Sequence, residues 1–178
     1  MMAAETPGSG FAPDRFETQR LSARRITARD RPYLLQLYTD RDVARTLGGV
    51  REVSWIAQRH LEALEHWQMH GFGEYVLFDR VTGDFVGRVL LRRMVLAGRD
   101  ENEIGYAFLP QYWNRGFGTE AAQAVMQIGL NNLGLADLVA FTQTTNHASQ
   151  RVMEKIGMRF SHEAEHAGYP HVFYRITL

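Results

Sequence analysis

The stretch from Glu103 to Ala121 limits the possible folds more than any other. Glu103–Leu109 is a largely apolar run of strand character, and Pro110 ends it because a proline brings no N–H to a ladder. Gly116 and Gly118 then lead into a helix that starts near Thr119. Unpaired N–H groups and the positive end of the helix dipole gather at such a start. Glycines just before it allow a bulky anion to approach the backbone. The pattern then repeats, with Asp137–Gln143 as a strand and Asn146–Ile156 as a helix. Two successive strand-to-helix junctions in one sheet put both helix N-termini at the same end. The arrangement reads as a phosphate cradle with the side chains of Asn146 and Ser149 next to it, the alternative being a tight strand-to-helix turn and no more. It is not a P-loop, because no Gly-Lys-Ser/Thr follows, and the acidic residue of a dinucleotide site is missing as well.

The rest of the chain builds around this unit. Residues 1–14 are small, polar and unpatterned, which reads as a mobile tail. Alternation around Leu21 and Ala23 gives a first strand. Thr27–Asp30 matches a capping box ahead of a helix with Tyr33, Leu34, Leu37 and Tyr38 on its apolar face. Asp40 caps a short helix that stops at Gly48-Gly49, and Ser54 opens a longer one that ends at Gly71. Glu74–Asp79 and Phe85–Met94 form a hairpin, and Gly98–Asn102 reads as a polar loop into the strand at Glu103. The helix from Thr119 runs to Leu133, and Met158–Ser161 with His171–Thr177 closes the sheet. Residues 15–178 are thus expected to form one mixed α/β domain, a largely antiparallel sheet of about seven strands with a central βαβ unit.

Composition removes several function classes. The 178 residues carry 20 basic and 20 acidic side chains, so no global field favours nucleic acid or an acidic membrane. Nineteen of the basic residues are arginine, nine of them within residues 15–51, but acids are interleaved there and the stretch reads as solvated surface. With no cysteine there is no thiolate ligand, disulfide or thiol nucleophile. No apolar run approaches the ~18 residues of a membrane span. The start MMAAETPGSG lacks signal-peptide character, and a cytoplasmic location is expected. His162 and His166 are four apart, but no helix is expected there, and His60, His66 and His70 do not share a face, so no metal site is read.

Tyr112-Trp113-Asn114-Arg115-Gly116-Phe117-Gly118-Thr119-Glu120-Ala121, followed by Asn146-x-x-Ser149 and Lys155-Ile156-Gly157-Met158, resembles the GNAT acetyltransferase superfamily. Within it, the chain is most similar to the ribosomal-protein N-terminal acetyltransferases of the Rim type. Glu17-Thr18-Gln19-Arg20-Leu21 and Asp40-Arg41-Asp42-Val43 extend the likeness towards the start of the chain. The resemblance implies helices on both faces of the sheet and acetyl-CoA as co-substrate. The amides of Arg115, Gly116, Phe117, Gly118 and Thr119 would hold its pyrophosphate, and the strand end at Phe108 and Leu109 would pair with its pantetheine arm. Asn146 would bond to pantetheine or to backbone. The family loop begins with Gln or Arg, where this chain has Trp113.

The implied chemistry is aminolysis of a thioester. It requires a neutral amine, a donor for the oxyanion and a proton for the departing thiolate. A strand amide near Phe108 is the candidate oxyanion donor and Ser149 the candidate acid; the bland alternative for Ser149 is a first-turn serine bonding backbone. Glu103 is the candidate base, directly or through water, with Glu101 as a second choice. Tyr106 faces away from Glu103 by strand alternation and reads as core. Trp55, Trp67, Phe72 and Tyr75 line either an acceptor pocket or ordinary core. The expected acceptor is a primary amine, on a protein N-terminus or a small molecule, used by a monomer or homodimer. The rivals are a CoA-binding module without catalysis and a structural domain whose glycine turn is only a turn.

Overall fold

The computed structural model describes residues 10–177. In chain order the elements are β1 (Arg15–Glu17), β2 (Leu21–Arg25), α1 (Arg31–Thr39), α2 (Arg41–Ala44), α3 (Val53–His70), β3 (Glu74–Asp79), β4 (Phe85–Leu96) and β5 (Arg99–Phe108). They continue with α4 (Phe117–Gln127), β6 (Asp137–Gln143), α5 (His147–Lys155), β7 (Arg159–His166) and β8 (Tyr169–Thr177). The eight strands form one sheet in the order β1-β2-β3-β4-β5-β6-β8-β7. Every pairing is antiparallel except β5 with β6, which α4 connects as a βαβ unit. The mixed α/β fold is as expected, with the short β1 as an eighth strand.

Alternation along β4 divides the core. Leu91 points to the face where Gly129 and Leu138 pack, on the α4 side. Leu90, Arg92 and Met94 point to the opposite face, against Ala63 and His66 of α3. Helices therefore cover both faces, and each apolar stripe has a layer to bury against.

Several boundaries move for physical reasons. Gly98–Asn102 is not a loop. Ala97 and Gly98, both at positive φ (49° and 77°), make a two-residue turn whose twist suits a hairpin, and β5 starts at once with Arg99. The polar residues read as loop are paired in the strand: Arg175 donates to buried Glu101 at 2.5 and 2.9 Å. Ala167 and Gly168 (φ 51° and 80°) turn β7 into β8 in the same way, so β7 runs on to His166 as a polar edge strand. The helix expected to reach Leu133 ends instead in a π-helical turn over Ile128–Asn132. Of the tail expected over residues 1–14, residues 1–9 lie outside the described residues. Ala12 is buried, its N–H donating to Gly71 O at 3.2 Å, and Pro13 O accepts from Tyr75 Oη at 2.8 Å.

His66 ties α3 to the sheet. One ring nitrogen, Nδ1, meets Phe72 O at 2.8 Å and the other, Nε2, accepts from the Arg93 N–H at 2.9 Å, which fixes a neutral tautomer. Burial, together with His70, Arg92 and Arg59, brings its pKa down to about 4 despite the bond to Phe72. An unfolded histidine takes its proton near its ordinary value of about 6.5, so between these two values the unfolded chain holds more protons. Stability therefore falls as pH drops from about 6.5 towards about 4. Melting temperatures measured across that window should decline in the wild type and more shallowly in His66→Gln; equal slopes would contradict this role.

Candidate active site

The sheet opens at the junction of β5 and β6. β5 is paired with β4 from Arg99 to Phe108, but with β6 only at Glu103↔Val139. Beyond that point the two parallel strands part into a notch. The Leu109 N–H bonds to Val86 O at 2.9 Å beside the Gly87↔Phe108 pair, which sets the phase of the ladder. Phe108 and Tyr106 therefore aim their own N–H groups away from β4 and into the notch. The Phe108 carbonyl accepts from Trp113 Nε1 at 2.7 Å. The tryptophan in place of Gln or Arg thus pins the strand end to the loop that follows.

That loop delivers the helix start. Asn114 (φ 57°) and Gly116 (φ 81°) take left-handed conformations, and no side chain caps α4. The first helical bond runs from Glu120 N–H to Gly116 O at 3.1 Å, which leaves the amides of Phe117, Gly118 and Thr119 without intrahelical acceptors. Arg115 is exposed beside them. A feature the sequence reading missed holds the loop in place. Arg20 donates to Arg115 O at 2.6 Å, lies 4.7 Å from the Phe117 ring centroid and pairs with Glu120 at 2.7 Å. Burial alone would raise the Glu120 carboxyl, but hydrogen bonds from Thr18 and Arg20 outweigh it and keep the group below its ordinary value. Uncapped amides, a Cβ-free turn and a neighbouring guanidinium fit the diphosphate of a CoA molecule, whose thioester arm would enter the notch.

On the α4–α5 face, Asn146 caps α5: its Oδ1 accepts from the Ser149 N–H at 3.2 Å and its Nδ2 donates to Thr142 Oγ1 at 3.0 Å. Ser149 shares a hydrogen bond of 2.9 Å with Tyr106 Oη. Tyr106 faces away from Glu103, as alternation requires, and packs against the core with its hydroxyl bonded to Ser149. Burial, opposed by the bond to Ser149, pushes its phenol well above the ordinary value, so it stays a neutral hydroxyl.

The opposite face carries the charges. Arg92 donates to Glu103 Oε2 at 2.5 Å and Arg59 to buried Glu74 at 3.0 Å, while buried Arg88 lies 3.8 Å from Glu74 with Nε and Nη1 unbonded. Glu101, weighed as a second base, is held by Arg175 instead. Trp67, Phe72 and Tyr75 are buried core; of the four aromatic residues considered for an acceptor pocket only Trp55 is exposed. Phe141 lies on this face, two residues beyond Val139. The β7–β8 turn reaches across towards the chain after α2: a Cβ at Gly48 would lie 3.7 Å from Tyr169 Cε2. This face of the notch is thus bounded by charged strands, an aromatic ring and a hairpin.

Residues 20–159 match the model of the acetyltransferase (GNAT) domain. Among curated proteins of Bacillus subtilis, the uncharacterized protein YkkB is 29% identical over 156 residues, covering 84% of this chain and 88% of its own. The uncharacterized N-acetyltransferase YoaA of the same organism is 28% identical over 147 residues, covering 80% and 81%. An acetyltransferase structure from Agrobacterium tumefaciens superposes with a TM-score of 0.82 at 22% identity, covering 94% of this chain and 96% of that one. A ribosomal L7/L12 alpha-N-protein acetyltransferase in complex with coenzyme A superposes at 0.75 with 17% identity, covering 94% and 97%. The Rim type is thus present among the structural neighbours, but at a distance that speaks to fold alone. No helix among the described residues is long and apolar enough to cross a membrane. The chain belongs to the GNAT acetyltransferase family and is an acyltransferase with acetyl-CoA as its donor.

Proposed function

We propose that the protein acetylates a primary amine, on a protein N-terminus or a small molecule, by direct attack within a ternary complex. The observation that carries this reading is the notch between β5 and β6, which has a helix-start cradle and a hydroxyl pair on one face and charged groups on the other. Bound acetyl-CoA supplies an activated acyl carbon with a thiolate leaving group. The amides of Arg115–Thr119 grip its diphosphate, and the β6-facing edge of Tyr106–Phe108 aligns its arm. The Phe108 N–H, free of the β4 ladder, donates to the oxygen that gains charge. Ser149, backed by the Tyr106 hydroxyl, protonates the departing sulfur. Glu103 lies on the far face with its Oε2 bonded to Arg92 at 2.5 Å, and this pair helps to shape the acceptor side. The chain has no cysteine, so no thiol acyl-enzyme competes with direct transfer.

The test is release of CoA thiol from acetyl-CoA in the presence of a panel of amines: peptides with alanine or serine at the N-terminus, polyamines and arylalkylamines. A product heavier by one acetyl group, found only with enzyme, supports the reading. Turnover that is equal with and without amine contradicts it.

A further inference from the structure

The β7–β8 hairpin brings two histidines to the acceptor side, and no role above uses them. His171 is buried on β8, paired with Gln143 at the open end of β6. Its ring lies 5.9 Å from Phe141, which stands on the same face as Glu103, and 6.5 Å from Phe173. The Nδ1 atom meets Tyr169 O at 2.8 Å, so it carries the hydrogen and donates, and Nε2 is left with a bare lone pair. His166 completes the group. Its ring is edge-on to His171 at 5.4 Å and to Phe141 at 4.8 Å. Desolvation, together with the neighbouring His171 and Arg92, brings the pKa of His166 below its ordinary value, although Glu103 pulls the other way. His162 stacks on Phe173 at 4.7 Å behind them.

We propose that His171 takes the proton from the acceptor amine, through Nε2, on the face of the notch opposite Ser149. This rests on the acetyl-transfer reading and assigns its base. The ring has the attributes such a base needs: a tautomer fixed by a backbone carbonyl, an unbonded nitrogen and a partly dry aromatic setting. Glu103 and Arg92, from β5 and β4, are the charged groups that act on its neighbour His166, and they pair with each other at 2.5 Å.

The step balances as follows. The amine nitrogen forms a bond to the acyl carbon while the carbonyl pair moves onto oxygen, facing the Phe108 N–H. His171 Nε2 removes one proton from the new ammonium. The carbonyl re-forms, the carbon–sulfur bond breaks and sulfur takes the Ser149 hydroxyl proton. Imidazolium then returns its proton to solvent, and Ser149 is reprotonated from it.

The experiment compares wild type with His171→Gln and His171→Asn. Asparagine can keep the bond to Tyr169 O but offers nothing at the Nε2 position, which guards against one variant failing to fold. Two quantities are read: stabilisation by acetyl-CoA, and kcat/KM against pH with the peptide or amine of the panel above that wild type acetylates fastest. Stabilisation should be unchanged, kcat/KM should fall by about 10²–10³-fold, and the acidic limb of the wild-type profile should disappear. Variants that keep stabilisation and retain wild-type kcat/KM with the same acidic limb would overturn the assignment of His171 and leave the transfer reading intact. Loss of acetyl-CoA stabilisation in the wild type itself would instead overturn both.

Discussion

Gly118→Glu should abolish stabilisation by acetyl-CoA while leaving the fold standing. Its backbone is not in the left-handed region, and a Cβ there would meet only Val152 at 3.5 Å and Phe108 at 3.9 Å, ordinary contact distances. The new carboxylate, by contrast, stands at the uncapped start of α4, where it takes up the dipole and repels a diphosphate. Ligand at 100 times its dissociation constant adds about 2.7 kcal/mol to wild type, about 5–10 °C in melting temperature for a domain of this size. The variant should show less than about 1 °C of that shift, with an unliganded melting temperature near wild type. A full shift in the variant would place the diphosphate elsewhere. Gly116 is the poorer choice, because at φ 81° any side chain strains the turn before electrostatics enter.

Ser149→Ala and Tyr106→Phe should each slow transfer, and together they should do little more than the serine change alone. The two hydroxyls share one hydrogen bond of 2.9 Å, and the Tyr106 hydroxyl also donates to Ser149 O at 3.1 Å. In the proposed transfer they act on the leaving sulfur as a unit. Removal of the acid should cost about 10²-fold in kcat, while loss of the phenol leaves the serine less well oriented and costs about tenfold. Groups that work as a unit are strongly non-additive, so the double variant should fall within about threefold of Ser149→Ala. Fully multiplicative losses would mean that the two hydroxyls serve separate steps. The assay is steady-state thiol release with acetyl-CoA saturating, so that binding changes do not enter kcat.

The βαβ unit and the uncapped helix start were legible in the sequence because glycine and proline mark them locally: Pro110 ends a strand, and Gly116 allows a left-handed turn that few other residues take. The capping box at Thr27–Asp30 was equally plain and is present. Less legible was whatever depends on partners far along the chain. Arg20 steadies a loop near Glu120, and Arg175 neutralises Glu101 within a strand that local hydropathy reads as a loop. Strand alternation put Tyr106 on the correct face but could not say that Ser149 would be waiting there. The sequence offers His162 and His166 only as a metal-ligand spacing and His171 only as a strand start, because β7 is exposed along nearly its whole length and reads as a polar segment with no period. Only the left-handed pair Ala167-Gly168, which reverses the chain at His166, folds those rings back over Phe141.

The most direct measurement of the central claim is an amide-resolved nuclear magnetic resonance titration of the full chain with CoA. The notch and cradle predict the largest shifts at Arg115–Thr119, at the Tyr106 and Phe108 amides and at Asn146–Ser149, with β1, β2 and the far end of β4 unmoved. Saturable binding that leaves Arg115–Thr119 and Phe108 unperturbed would contradict it.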